Sequence, residues 1–359
     1  MAVMQLTKVV KDAKGRHSAH GVRPDSERKM RGLILIITNE NDGDANIIEK
    51  KLIDRGENVF RVDTQAYVRG DVSIALYEEG TSILEVGAGR ELSLDEVGSV
   101  WFRKPGAIAP WLTDPREREF AKKELGELFS QLYMLAPQAR WVNRPEAVDR
   151  ANHKYPQLGA ARRLGFEVPR TCMTNSPARA RKFLQSCMNG AIYKTLYCPA
   201  IVNDYDNDAP DGGNLSVPTS RVTKERLTEL DALPLTGGIF QEYIEKEYEL
   251  RVTVMGDRIF AARINSQENP DQVGRVDWRF GEYTHDAAEA YTLPAPIAEK
   301  CRLLVKSYGL EFGAIDLIKT PDGRYVFLEI NPNGQWAWLE ELTGDPYIET
   351  FVSFLRKSR

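Results

Sequence analysis

The sequence predicts an α/β protein built in lobes, with a small α/β unit first, a mixed α+β region in the middle and an antiparallel sheet last. Three observations carry that expectation. Early segments alternate a buried strand with an amphipathic helix; later segments run as hairpins with tight-turn residues between them; and 359 residues, at roughly 150 per domain, leave room for two or three packed lobes.

Residues 32–38 (GLILIIT) read as a buried strand, and Asp42 or Asp44 can cap a following helix on which Ile48, Leu52 and Ile53 recur at helical spacing until Gly56. Residues 58–63 (NVFRVD) give the next strand, 72–77 and 82–86 alternate like a hairpin, and 99–104 (SVWFRK) form a further apolar strand before Pro105. Asp114-Pro115 opens a long helix whose Phe120, Leu125, Leu128, Phe129 and Leu132 form one stripe, ending near Pro137. This places an N-terminal α/β domain at 30–140 and a second region at 141–359, the latter divided into a central lobe at about 160–240 and a C-terminal lobe at about 241–359.

The second region starts with a helical pattern over 146–165 that Pro156 should kink or break. A short strand, 191–196 (AIYKTL), precedes a turn-rich acidic stretch, 197–222, in which Asp204, Asp206, Asp208 and Asp211 suggest a mobile loop or lid. From Gly238 the pattern reads as an antiparallel sheet: 238–244, 249–254 and 258–265 are strands, the last two joined by Met255-Gly256-Asp257. A helix near 297–308 separates these from 313–319 (GAIDLIK) and 324–330 (RYVFLEI), a hairpin closed by Thr320-Pro321-Asp322-Gly323.

Composition narrows the class of function. Hydrophobic residues make 42% and charged residues 28% of the chain, which is the balance of a folded globular protein. The longest aliphatic run, 33–37, is far short of the roughly 20 residues of a membrane span. Residues 1–29 hold seven Lys/Arg and three Asp/Glu; against a net charge of −4 the remainder therefore carries −8, which argues against a nucleic-acid binder. That segment has no apolar signal-peptide core and reads as a mobile tail, an upstream start or an expression remnant. Four cysteines without a C-x-x-C pair fit neither a disulfide framework nor a cysteine zinc site, so a reducing cytoplasm is the expected compartment.

The last hairpin holds the most informative chemistry. Strand residues two apart share a face, so Glu329 and Asn331 project together, and pairing through the 320–323 turn can bring Asp316 beside them. Two carboxylates and an amide offer the hard oxygens that magnesium accepts alongside substrate phosphates; the plain alternative is an acidic sheet face in solvent. Lys154 on a helix and Lys194 in an apolar strand are either solvated charges or point cations for phosphate. Residues 240–244, containing Gln241, Glu242, Tyr243 and Ile244, could present backbone groups to an adenine edge, with Glu249 accepting from ribose hydroxyls. Arg251 and Arg263 lie on neighbouring strands, where their guanidinium forks could converge on a phosphate or acyl phosphate or else decorate an outer face; Arg279 follows on a loop.

Taken in order, Lys154, Lys194, Gln241–Ile244, Glu249, Arg251, Arg263, Asp316, Glu329 and Asn331 resemble the ATP-grasp carboxylate–amine ligase superfamily over about residues 140–345. Val100-Trp-Phe-Arg-Lys-Pro105, Val276-Asp-Trp-Arg279 and Glu329-Ile-Asn-Pro-Asn-Gly-Gln-Trp336 are similar to the hallmarks of microviridin-type peptide-maturing ligases, the graspetide synthetases, which are related to ribosomal-protein glutamate ligases. The resemblance implies an ATP-grasp fold with a pre-ATP-grasp domain, a central lid lobe and a C-terminal antiparallel-sheet lobe. It implies that Lys154 and Lys194 hold ATP phosphates, that Glu242 and Ile244 meet adenine through backbone groups flanked by Gln241 and Tyr243, and that Glu249 binds ribose. Asp316, Glu329 and Asn331 would hold magnesium, two ions being expected, and Arg251, Arg263 and Arg279 would grip the γ-phosphate and acyl phosphate.

The implied activity is ATP-dependent closure of ω-ester or ω-amide rings on a precursor peptide carrying a leader and a core of Asp/Glu with Ser, Thr or Lys. Neither nucleic acid nor membrane is an expected partner, and a homodimer is a possible assembly. Two rivals stand beside it: an amino-acid ligase of the glutamylation type acting on a protein tail or small acid, which would add mass, and a catalytically silent peptide-binding protein, which has no need of converging metal ligands. Other chemistries lack support. Gly87-Ala-Gly89 misses the third glycine of a dinucleotide fingerprint, no phosphate-binding G-x-x-x-x-G-K-[ST] loop occurs, the four histidines have no zinc spacing, and 204–215 departs from a calcium loop at Ala209 and Leu215.

Overall fold

The computed structural model describes residues 32–78, 82–86, 90–197, 200–201, 215–281 and 288–356. The expected tail at 1–29, Gly87-Ala-Gly89 and the acidic run containing Asp204, Asp206, Asp208 and Asp211 lie outside those residues.

The first sheet is parallel, in the order β2 (Val59–Asp63), β1 (Leu33–Thr38), β6 (Val97–Phe102), β7 (Arg140–Val142). Every residue of β1 is buried, as expected for a strand covered on both faces. Helix α1 (Gly43–Asp54) follows β1, capped by Asp42, whose carboxylate accepts from the Ala45 N–H. Ile48 and Leu52 are buried as expected, but Ile53 is 57% exposed. Helix α2 (Thr64–Arg69) leads into a small antiparallel sheet of β3 (Val72–Leu76), β4 (Ser82–Val86) and β5 (Arg90–Ser93).

Asp114 caps α3 (Pro115–Gln131) through the Arg116 and Glu117 N–H groups. The expected stripe is only half covered: Phe129 and Leu132 are each 2% exposed, whereas Phe120 and Leu128 are 49% and 37% exposed. The C-terminal half packs, with Leu125 against the first core and Phe129 against the rings of Tyr67 and Tyr133. The helical pattern over 146–165 splits into α4 (Pro145–Asn152) and α5 (Lys154–Arg163) at His153, whose backbone is extended. Pro156 thus falls in the first turn of α5, where its missing N–H costs no helical bond.

The central lobe is a sheet in the order β12 (Ser220–Arg221), β9 (Ala191–Lys194), β13 (Gly238–Glu242), β8 (Thr171–Thr174), with β10 (Ala200–Ile201) and β11 (Leu215–Ser216) paired as a separate antiparallel ribbon. Its own small core gathers Ala180 of α6 (Pro177–Gln185) with Leu230, Leu233 and Phe240. Here the sequence expectation is corrected. Residues 238–242 join this sheet between β8 and β9 rather than the C-terminal sheet, and the strand ends at Glu242, not Ile244. The reason is that an apolar run specifies burial but not which sheet buries it, and the non-strand stretch before Tyr248 lets the chain change sheets.

The C-terminal sheet is antiparallel, in the order β16 (Ala288–Ala290), β15 (Arg258–Ile264), β14 (Tyr248–Met255), β17 (Phe312–Lys319), β18 (Tyr325–Asn331). One face sends Leu250, Val252, Ile315 and Leu317 into a core continuous with Leu33, Leu35 and Val100 of the first sheet. The other face meets α7 (Tyr347–Leu355), whose Phe351 packs on Trp101 and Trp336. The first and last lobes are thereby fused through two shared cores. Among the described residues no helix is long and apolar enough to cross a membrane, and Cys172, Cys187 and Cys301 are free thiols.

Candidate active site

The floor of the site is the ribbon β17–β18. Asp316 stands opposite Glu329, and Ala314 opposite Asn331, so Glu329 and Asn331 share a face as their spacing required. The register slips by one after Asp316, where Leu317 pairs with Phe327 and Leu328 is the extra residue; this bulge sits beside the carboxylate pair, a common place for one.

Each carboxylate already has cationic partners. Arg251, opposite Asp316 on β14, donates from Nη1 to both Asp316 oxygens at 2.9 and 3.1 Å. Lys154 Nζ lies 3.0 Å from Glu329 Oε2 and Arg279 Nη1 lies 3.3 Å from Oε1. Arg279 is aimed by Asp277, which accepts from Nε and Nη2 at 2.8 Å each and from the Thr219 N–H at 3.2 Å. Burial pushes Asp316 above the ordinary carboxylate range, with the Glu329 charge adding to it against the pull of Arg251. Burial acts on Glu329 in the same direction but is outweighed by Lys154, Arg279 and Lys194, so Glu329 is held well below the usual range.

Around this floor opens a cleft of about 580 Å³ continuous with solvent, lined by Lys194, Gln241, Glu242, Tyr243, Ile244, Glu249, Trp278, Arg279, Asp316 and Glu329, with Ile192 and Leu328 as apolar walls. Lys194 ends β9, and its pKa is lowered by burial, with Glu329 pulling it up and Lys154 and Arg279 pushing it down. Gln241 donates from Nε2 to Thr171 Oγ1 at 3.1 Å, while its buried Oε1 has no hydrogen-bond partner. Glu249 is 4% exposed and pairs with Lys246 Nζ at 2.7 Å. Burial still raises the Glu249 pKa against that pull.

The structure therefore brings together Lys154, Lys194, Gln241–Ile244, Glu249, Arg251, Arg279, Asp316 and Glu329. It does not bring Arg263 to them. Arg263 pairs with Leu250 and Arg251 with Ala262, so the two arginines lie on opposite faces of the sheet. Arg263 instead reaches Glu289 at 3.3 Å and lies over the Tyr248 ring, 4.2 Å from its centroid. The expected convergence of two forks required paired residues, and the register is offset by one. Asn331 is on the correct face, and its Oδ1 accepts from the Asn333 N–H at 3.0 Å. Sequence reasoning passed over Lys246, Thr219 and the aiming carboxylate Asp277. Asp277 was legible within Val276-Asp-Trp-Arg279, whereas Lys246 and Thr219 look like ordinary surface residues until folded.

The donor set suits magnesium. Asp316, Glu329 and Asn331 offer hard oxygen donors, two carboxylates and an amide, few enough to share a magnesium ion with phosphate oxygens as it prefers. The orphan Gln241 Oε1 and the cations Lys154, Lys194 and Arg279 suit a nucleotide bearing an amine at one end and phosphates at the other.

This fold and side-chain set define an ATP-grasp architecture, and comparison with known proteins agrees. The family description "MvdD pre-ATP grasp domain" matches residues 33–149. Among solved structures, the macrocyclase MdnC bound with precursor peptide MdnA, from Microcystis aeruginosa MRC, superposes with a TM-score of 0.76 at 33% identity, covering 90% of this chain and 98% of that one. A Chryseobacterium gregarium RiPP-associated ATP-grasp ligase in complex with ADP and a leader and core peptide gives 0.75 at 28%, covering 90% and 95%. The macrocyclase MdnB from Microcystis aeruginosa MRC gives 0.72 at 27%, covering 90% and 99%. Comparison with curated proteins found no match. The chain belongs to the ATP-grasp ligases of the microviridin-type macrocyclase family and is an enzyme of that class.

Proposed function

We propose that this ligase uses ATP to activate Asp or Glu side chains of a ribosomally made precursor peptide and closes them onto hydroxyl or amine side chains of the same peptide. The observation that carries this reading is the paired Asp316 and Glu329, buried in a cleft with Lys154, Lys194 and Arg279 gathered around one of them. MdnC was solved with a precursor peptide and the Chryseobacterium ligase with ADP, leader and core, which supports a peptide with leader and core as the partner here.

A carboxylate is a poor acyl donor because oxide is a poor leaving group. In the proposed first step a peptide carboxylate oxygen bonds to the γ-phosphorus of ATP, the bond from that phosphorus to the bridging oxygen breaks, and ADP leaves. Lys154, Lys194, Arg279 and Arg251 would stabilise the charge that develops on the transferring group. Asp316, Glu329 and Asn331 would hold magnesium, in two ions, whose charge would neutralise phosphate oxygens. The peptide nucleophile then attacks the acyl carbon, the bond to phosphate breaks, and the nucleophile's proton departs with phosphate or solvent. Walls such as Ile192 and Leu328 would limit water at this stage, since water would otherwise hydrolyse the acyl phosphate. Gln241, Glu242, Tyr243 and Ile244 would seat adenine and Glu249 would bind ribose.

The test is incubation with the precursor peptide encoded beside the gene, ATP and magnesium, read by mass spectrometry. Loss of one water mass per ring with matching ADP formation is expected. A gain of an amino-acid mass would instead make this an amino-acid ligase, and no ATP-dependent mass change with any neighbouring peptide would overturn the proposal.

A further inference from the structure

Strand β18 ends at Asn331 and the chain then leaves the sheet, yet from Ile330 to Trp336 its backbone is tied at nearly every residue by side chains from distant parts of the chain. Gln157 accepts from the Ile330 N–H at 3.0 Å and donates to the Ile330 carbonyl at 2.9 Å. Asn143 donates to the Pro332 carbonyl at 3.0 Å. Arg103 donates from Nη1 to the carbonyls of Asn333 and, at 3.0 Å, of Gly334. Arg251 donates to the Gln335 carbonyl at 3.0 Å, and Asp44 accepts from the Trp336 N–H at 3.2 Å.

Two arginines thus hold this loop from opposite ends of the fold. Arg251, which bonds Asp316, belongs to the C-terminal sheet. Arg103 belongs to the N-terminal domain, is 1% exposed, and is itself held by Asp44 at 2.7 Å and by Asp42 at 3.4 Å. Clearance around the loop is minimal, since a Cβ on Gly334 would meet Arg251 Nη2 at 2.4 Å and Ala314 Cβ at 2.6 Å. A shift of the loop would therefore move Arg251 and, through it, Asp316.

We infer that Arg103, backed by Asp44, is a positioning residue for the divalent-ion site, fixing from the N-terminal domain the loop that orients Asn331 and the Arg251–Asp316 pair. This rests on the reading of Asp316, Glu329 and Asn331 as metal ligands. Arg103 touches none of them and acts through the backbone of residues 333 and 334. Lysine cannot replace it, because one ammonium cannot serve two carbonyls and a carboxylate with the planar fork that guanidinium provides. On this view the N-terminal domain completes the site, and Val100-Trp-Phe-Arg-Lys-Pro105 reaches the centre through Arg103.

The test is calorimetric titration of ADP into wild type, Arg103→Lys and Asp44→Asn, each with and without magnesium, alongside thermal unfolding. In wild type, magnesium should tighten ADP binding. In Arg103→Lys the metal-free ADP affinity should stay within about twofold while the magnesium enhancement falls by about tenfold, the size expected when support behind a ligand is lost. A general loss of structure would lower both affinities together. Retention of the full enhancement in a folded Arg103→Lys would overturn the inference, and should that variant not fold, retention in Asp44→Asn would do so. Absence of any enhancement in wild type would refute the metal reading itself.

Discussion

Lys154 Nζ stands 3.0 Å from Glu329 Oε2, tying the first residue of α5 to the last strand of the C-terminal sheet. With Arg279 on the other oxygen, the carboxylate assigned to metal is held by the cations assigned to phosphate. Glu329 is thus already ion-paired before any ligand arrives. A magnesium nucleotide would exchange partners within the site, the metal taking Glu329 and the phosphates taking Lys154, Arg279 and also Lys194, whose charge burial disfavours and to which phosphate would bring a counter-charge.

Removing the carboxylates should separate catalysis from folding. Glu329→Gln and Asp316→Asn are expected to lower ADP formation at least about a hundredfold, as when a main electrostatic element of a site is lost. Asp316→Asn also strands the buried Arg251, so its stability should fall by about 3 kcal/mol, the scale for breaking a buried pair, whereas Glu329→Gln releases the partly exposed Lys154 and Arg279 and should cost less. Steady-state ADP release and denaturant unfolding on the same preparations check both parts; turnover near wild type in either variant would refute the metal assignment.

Lys194 should behave in the opposite sense for stability. Its charge is disfavoured by burial and by Lys154 and Arg279, so Lys194→Met removes an unfavourable charge. The variant is expected to unfold at or above the wild-type temperature while the KM for ATP rises about tenfold or more. An unchanged KM would mean that Lys194 is a structural lysine.

The offset register makes two arginines on adjacent strands unequal. Arg251→Ala should abolish ADP formation, because Asp316 and the Gln335 carbonyl both lose their donor. Arg263→Ala removes a partly exposed pair with Glu289 on the far face and should leave ADP formation within about threefold, as surface ion pairs contribute little. Comparable losses in both variants would show that the two faces are not functionally distinct.

How far the sequence disclosed all this depended on the range of the interaction. Strand periodicity and the Thr320–Gly323 turn were enough to lay the two strands side by side, but the register set at the turn would place Leu328 opposite Asp316, and the bulge that puts Glu329 there instead has no local sequence signal. Arg263 failed for the same physical reason: adjacency of strands was legible, but a one-residue offset across Met255-Gly256-Asp257 was not, and one residue changes the face. The placement of residues 238–242 was missed because two sheets compete for one apolar run. Ties such as Arg103 to Gly334, Asn143 to Pro332 and Gln157 to Ile330 span more than 150 residues and involve backbone acceptors, which carry no sequence signature.

Lys104, beside Arg103, supplies a pH test of the packing between the first and last lobes. Burial, reinforced by the Arg103 charge, brings its pKa down to about 8, against roughly 10.4 in an unfolded chain. Below pH 8 both states carry the proton, and the folded state bears the full cost of a charge it disfavours. Between about pH 8 and 10.4 the folded state has released a proton that the unfolded state still binds, so this lysine makes stability rise with pH. Lys104→Met lacks that cost at every pH. It should therefore be more stable than wild type by about 1–2 kcal/mol at pH 7, allowing for partial solvent access, and the gap should close as the pH approaches 10. Urea unfolding of both proteins at pH 7, 8, 9 and 10 measures it, and parallel curves across that range would show that Lys104 is solvated and that the lobes are packed more loosely around it.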